Sequence, residues 1–137
     1  MILKGNDPNL SKDYLSQWII DNPNERYDLS GQIFENRDFS GWRMSKVLFN
    51  NSKFFNCNFS NADLSEISAI NSEFISANFT KAALYRANLS RSIFTNSNFE
   101  NSWLYRCVFS NAKIVDCNFY LAKSQKVRWP SDFRLEN

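Results

Sequence analysis

Between Ser52 and Ala122 a large apolar residue returns at every fifth position: Phe54, Phe59, Leu64, Phe74, Phe79, Leu84, Leu89, Phe94, Phe99, Leu104, Phe109, Ile114 and Phe119, with only Ala69 small in its slot. The register runs back through Phe49, Met44, Phe39, Phe34 and Leu29. Two residues before each lies a second series, which in the central stretch is nearly all small: Ser52, Cys57, Ala62, Ser72, Ala77, Ala82, Ala87, Ser92, Ser97, Ser102, Cys107, Ala112, Cys117 and Ala122. A period of five carries successive residues onto new faces of an α-helix, and on a straight strand an odd spacing alternates sides. The chain must therefore bend once per repeat. Four such sides close a square coil with the large and small residues inward, and coils stack at the inter-strand spacing of about 4.8 Å. Trp42 to Trp129 contains neither Gly nor Pro, so Ser and Asn are expected to turn the corners.

Units such as Ala62-Asp63-Leu64-Ser65, Ala77-Asn78-Phe79-Thr80 and Ala87-Asn88-Leu89-Ser90 resemble the pentapeptide-repeat family. The resemblance implies an all-β fold: a right-handed quadrilateral parallel β-helix, a solenoid of about four to five coils. It covers roughly residues 27–126. The expected organisation is an N-terminal cap with a short helix over 1–26, the repeat β-helix over 27–126 and a C-terminal capping tail over 127–137.

Within 1–26, Asp7-Pro8 followed by Leu10, Tyr14, Leu15, Trp18 and Ile19 reads as a short amphipathic helix with Asp7 as N-cap and Pro8 in its first turn, stopped by Asp21-Asn22-Pro23. Its apolar face is expected to lid the open first coil, with docking of a partner as the alternative. From Tyr27 to Val47 the small position holds Tyr27, Gln32, Arg37, Trp42 and Val47, too large for a tight inner corner, so a distorted or splayed first coil is expected. Ile67 and Ala69 exchange large for small, a swap that conserves volume. After Ala122, Trp129-Pro130 and Phe133 resemble the tail of small members of the family and are expected to fold over the last coil.

Composition changes this picture little. The chain has 137 residues, 13 Phe, 3 Gly, no His and a formal net charge of +2, so charge alone demands neither nucleic acid nor membrane. The start lacks the basic and apolar runs of a signal peptide, and no stretch approaches membrane-spanning length, which makes a cytoplasmic protein the default. The positions of Cys57, Cys107 and Cys117 disfavour disulfides and read as small inward fillers. A metal site is disfavoured too, and no cofactor is called for.

Because every twentieth residue stacks, outward residues sort into columns. Asp38, Asn58, Asn78, Asn98 and Asn118 form one, expected to bond side chain to side chain along the axis. Ile33, Phe55, Ile75, Ile93 and Val115 make an apolar stripe on one side, a candidate for self-association as a homodimer or for cover by the helix. Tyr85, Arg86, Trp103, Tyr105, Arg106 and Lys126, with Lys123, make a basic aromatic patch on another, and Tyr, Trp and Arg are the residues that dominate binding hot spots. Catalysis is the weakest function class, since no His and no Gly-rich phosphate loop accompany the many Ser. The leading reading is a non-catalytic protein–protein interaction module. One alternative comes from the segment Ser52 to Ser65, which is similar to quinolone-resistance pentapeptide proteins, DNA mimics that protect topoisomerases such as gyrase. The other is nucleic-acid binding through the basic aromatic face. The mimic is disfavoured, because it must be negative, whereas residues 27–126 hold 11 basic against 8 acidic residues, and nucleic acid is not the expected partner.

Overall fold

The computed structural model describes residues 10–135. Helix α1 (Lys12–Asp21) precedes five short strands, β1 (Ile33–Glu35), β2 (Lys53–Phe55), β3 (Glu73–Ile75), β4 (Ile93–Thr95) and β5 (Lys113–Val115), paired in parallel in sequence order. Phe34 pairs with Phe54, Phe54 with Phe74, Phe74 with Phe94 and Phe94 with Ile114, each a step of twenty residues. The other three sides pair through single parallel bridges with the same step, from Asp28↔Leu48 to Val108↔Arg128. The fold is thus a four-sided parallel β-solenoid. Among the described residues, no helix is long and apolar enough to cross a membrane.

A bend every five residues needs a backbone that reverses cheaply, and every fifth residue from Gly31 to Lys126 has φ between 51° and 72°. Asn fills many of these left-handed corners, as its tolerance of that region predicts. The expectation of Ser and Asn alone is corrected, because Lys46, Glu66, Lys81, Arg86, Arg91, Arg106 and Lys126 also turn corners. Ser turns one corner itself, at Ser76, and elsewhere lies mostly just before the corner or at the inner position. On two sides of each coil the corner is closed by a bond from the fourth residue to the first, as in Ala82 N–H to Phe79 O (3.0 Å) and Ala87 N–H to Leu84 O (3.1 Å), the signature of a type II turn.

The Asp/Asn column is corrected as well. Its side-chain oxygens accept the N–H two residues on, Ser60 to Asn58, Thr80 to Asn78, Glu100 to Asn98 and Tyr120 to Asn118, all at 2.9 Å. These are local Asx turns that set up the next corner, and they win over an axial ladder because the acceptor and donor are already two residues apart on one chain. Asp38 does the same with Ser40, whose hydrogen bonds hold the Asp38 carboxyl below its usual range.

Inside, the Phe columns stack: Phe54 on Phe74 at 4.5 Å and Phe74 on Phe94 at 4.8 Å, with nearly parallel rings, and Phe59 edge-on to Phe54 at 5.5 Å. Ile67 and Ala69 are both buried and their coil stays in register, so the volume swap holds. The buried Ser series is a polar seam. Ser72 Oγ accepts Ser52 N–H (3.2 Å) and donates to Phe49 O (2.8 Å), and Ser92 repeats this with Ser72 N–H (3.0 Å) and Ala69 O (2.6 Å). Cys57 and Cys117 take the same place, their thiols reaching Phe34 O (3.4 Å) and Phe94 O (3.5 Å). Burial pushes all three thiols up, Cys107 furthest, so they serve as protonated fillers. Ser102 Oγ, by contrast, is buried without a hydrogen-bond partner among the described residues. Ser72→Ala is therefore expected to cost about 1–3 kcal/mol by stranding a buried N–H, while Ser102→Ala is neutral or stabilising. Urea unfolding of the two variants side by side checks the contrast, and equal losses would contradict it.

The first coil is not splayed. Phe34↔Phe54 and Asp38↔Asn58 keep full register. Its oversized residues fit because no coil lies beneath them: Tyr27 is edge-on to Trp18 of α1 at 4.8 Å, Trp42 is edge-on to Phe39 at 5.0 Å, and Arg37 lies over Phe39 at 5.4 Å. The helix covers that end, burying Leu15 and packing Trp18 and Ile19 on the core, while Tyr14 stays largely exposed. Its N-cap is Ser11, whose Oγ accepts Tyr14 N–H (3.1 Å); Asp7 and Pro8, expected to start the helix, lie outside the described residues. Leu10 before the cap and Leu15 after it are both buried, the arrangement of a hydrophobic staple. At the other end Trp129 stacks on Phe109 (5.2 Å) and Phe133 on Trp129 (4.8 Å), closing the last coil as expected.

Candidate functional site

The solenoid side centred on Met44, Leu64, Leu84 and Leu104 buries those four residues and turns the intervening ones outward. Tyr85-Arg86 and Tyr105-Arg106 are the two middle residues of hydrogen-bonded turns, Ala87 N–H to Leu84 O (3.1 Å) and Cys107 N–H to Leu104 O (2.8 Å). The turn anchors its flanking Leu in the core and leaves Tyr and Arg outside. Gln125-Lys126 repeats the position one coil higher, with Val127 N–H on Ser124 O (3.4 Å).

The structure brings the expected patch residues together. Tyr85 and Trp103, 38% and 41% exposed, stack with centroids 6.3 Å apart. Lys123 Nζ lies 4.6 Å over the Trp103 ring. Arg106 lies 5.4 Å and Lys126 6.0 Å over the Tyr105 ring. The Arg106 hydrogen bond, and then the charges of Arg106 and Lys126, hold the Tyr105 phenol below its usual range. Arg86 is exposed at its corner on the coil below. Cations held against aromatic faces in this way are attracted by the ring quadrupole, by roughly 0.5–1 kcal/mol at exposed sites. The side chains are thereby ordered before any partner arrives.

Lower on the same side the charges differ. Arg43 pairs in register with Asp63. The exposed Arg26, from the linker after α1, donates to Lys46 O (2.7 Å) and to Glu66 O, reaching across two coils. No sequence pattern marked Arg26, because it precedes the first repeat and its partners are backbone carbonyls. Sequence reasoning also passed over Tyr120 and Leu121 at the top of the solenoid, 65% and 57% exposed, with Leu121 at a left-handed corner that disfavours a branched side chain.

The apolar stripe is less continuous than its column arithmetic suggested. Lys53 and Glu73 separate Ile33 from Ile93, and Thr95 separates Ile75 from Val115, so only Phe55 and Ile75 are neighbours, both half-buried. The helix does not cover Ile33, which is 60% exposed.

Among solved structures, HetL, a pentapeptide repeat protein involved in heterocyst differentiation regulation in the cyanobacterium Nostoc sp. strain PCC 7120, is similar at 19% identity over 74% of this chain and 46% of its own, with a TM-score of 0.49. This chain thus spans less than half of HetL. QnrB1, a plasmid-mediated fluoroquinolone resistance protein, is similar at 19% identity over 73% of this chain and 64% of its own, with a TM-score of 0.37. A thylakoid-lumen pentapeptide repeat protein of Arabidopsis thaliana is 16% identical over 94% of this chain and 76% of its own, with a TM-score of 0.44. No curated protein matches the chain. The family profile of pentapeptide repeats matches in 8 copies, in overlapping segments that together run from residue 33 to residue 123. With well over half its length in that repeat, and with each repeat forming one side of the solenoid, the chain belongs to the pentapeptide-repeat family.

Proposed function

We propose that this protein is a non-catalytic cytoplasmic scaffold that binds another protein through its basic aromatic face. The observation that carries the reading is the set of Tyr85, Trp103, Arg106 and Lys126, exposed, with half-buried Tyr105 and Lys123, all ordered by ring–ring and cation–ring contacts. Such a surface loses little side-chain entropy on binding. The reading as a scaffold is supported by the hydroxyls of Ser52, Ser72, Ser92 and Ser97, which are tied to backbone carbonyls, and by thiols held protonated, so neither offers an activated nucleophile. A DNA-mimic role is disfavoured by the sign of the charge on this face.

Tyr85→Ala combined with Arg106→Glu is expected to abolish capture of the partner in affinity purification from the native host, with the melting temperature within a few degrees of the parent. The control Phe55→Ser with Ile75→Ser, on the apolar stripe, should leave capture intact. If the control loses capture and the patch variant keeps it, the face is wrongly assigned. Protection of gyrase supercoiling from a fluoroquinolone by the purified protein would establish the mimic instead.

A further inference from the structure

The cations on this face are spaced for one kind of partner element. Arg86, Arg106 and Lys126 occupy the same corner of three successive coils, all exposed, with φ of 57°, 60° and 59°. Coils rise by about 4.8 Å, matching the 4.8 Å between the Phe74 and Phe94 rings. The three charges therefore emerge at about 0, 4.8 and 9.6 Å along the axis. An α-helix, at about 1.5 Å per residue, presents positions i, i+3 and i+7 on one side at about 0, 4.5 and 10.5 Å. An extended strand presents alternate residues at about 6.6 and 13.2 Å and falls out of step by the third charge.

We propose that the partner docks as an acidic α-helix lying along the solenoid axis, with carboxylates at i, i+3 and i+7 meeting Arg86, Arg106 and Lys126. This rests on the reading of the basic aromatic face as the partner-binding face. Tyr85, next to Arg86 at the turn, flanks the cation column and receives the apolar part of the same helix. Glu66 stands at the same corner one coil below Arg86, with its carbonyl held by Arg26. It repels a further carboxylate, so the acidic run ends there and the helix register is set by repulsion as well as attraction. Base stacking is the poorer fit, because Lys123 over Trp103 and Arg106 and Lys126 over Tyr105 already occupy ring surface that a single strand needs.

The test uses the full-length protein and two labelled synthetic peptides of identical composition, one with Glu at i, i+3 and i+7 of an Ala-rich helix and one with the same Glu residues at alternate positions. Fluorescence anisotropy at low salt should show the helical-register peptide binding about tenfold tighter, and Arg86→Glu with Arg106→Glu should remove about that factor. A peptide carrying Lys at the same three positions should then bind the reversed variant and not the parent. Arg86→Gln with Arg106→Gln gives an intermediate loss and guards against a folding artefact in the reversal. Equal binding of the two Glu peptides, no recovery by the Lys peptide, or displacement of the helical peptide by an equally charged single-stranded oligonucleotide at the same concentration overturns the proposal. If the peptides do not differ but the reversed variant also loses its native partner, only the helical register fails; if that variant keeps its partner, the assignment of the face fails with it.

Discussion

Phe74→Ala is expected to destabilise the protein by about 3–5 kcal/mol. Phe74 is fully buried in the middle of the solenoid, stacked parallel to Phe54 at 4.5 Å and Phe94 at 4.8 Å, and edge-on to Phe79 at 5.5 Å. Removing its ring opens a cavity between two rigid coils. Those coils cannot collapse into it, because their separation is held by backbone bonds on all four sides, such as Asn78 N–H to Cys57 O (3.0 Å) and Glu73 N–H to Ser52 O (3.0 Å). A solenoid core is one residue wide per side, so no neighbouring side chain is free to move in. Denaturant unfolding followed by circular dichroism measures the loss. Phe74→Leu, which keeps most of the volume, should cost under about 1.5 kcal/mol. Comparable losses for the two would mean that the column is not packed as the ring geometry shows.

The second large effect concerns the open end. Leu15→Ala is expected to cost about 2–5 kcal/mol although it lies outside the repeats. Leu15 is the fully buried residue of α1, opposite Leu10 across the Ser11 cap, and Trp18 beside it meets Tyr27 edge-on at 4.8 Å. The first coil has no coil beneath it, so loosening α1 exposes both a section of core and unpaired backbone groups. The variant should therefore melt earlier and also associate at concentrations where the parent does not, which thermal unfolding and size-exclusion chromatography would show together. A change no larger than that of an exposed substitution such as Gln17→Ala would show that the helix is not part of the cooperative unit.

The candidate site was legible in part. That Tyr85, Arg86, Trp103, Tyr105, Arg106 and Lys126 share one side follows from counting in twenties, and the structure places them there. Their grouping into Lys123 on Trp103 and Arg106 with Lys126 on Tyr105 did not follow, because it depends on rotamers chosen among neighbouring coils. The apolar stripe of Ile33, Phe55, Ile75, Ile93 and Val115 spans two adjacent columns, in which the step of twenty also places Lys53, Glu73 and Thr95.

What the sequence determined by itself is the part of the fold that repeats. A five-residue period of large and small inward residues admits one economical solution, a bend per repeat and a closed coil, because every position meets its own kind one coil away and the pattern is tested many times over. The tertiary structure decided whatever happens once. The helix start moved to Ser11, since the cap that wins is the one that lets Leu10 and Leu15 reach the core end. The first coil stayed regular because its large residues had an open end to turn toward, which no pattern within the repeat encodes. The Asn column chose Asx turns over a ladder because a donor two residues along the same chain is closer than one on the next coil. Single events of this kind depend on what lies across the boundary of the repeat, and periodicity carries no information about that boundary.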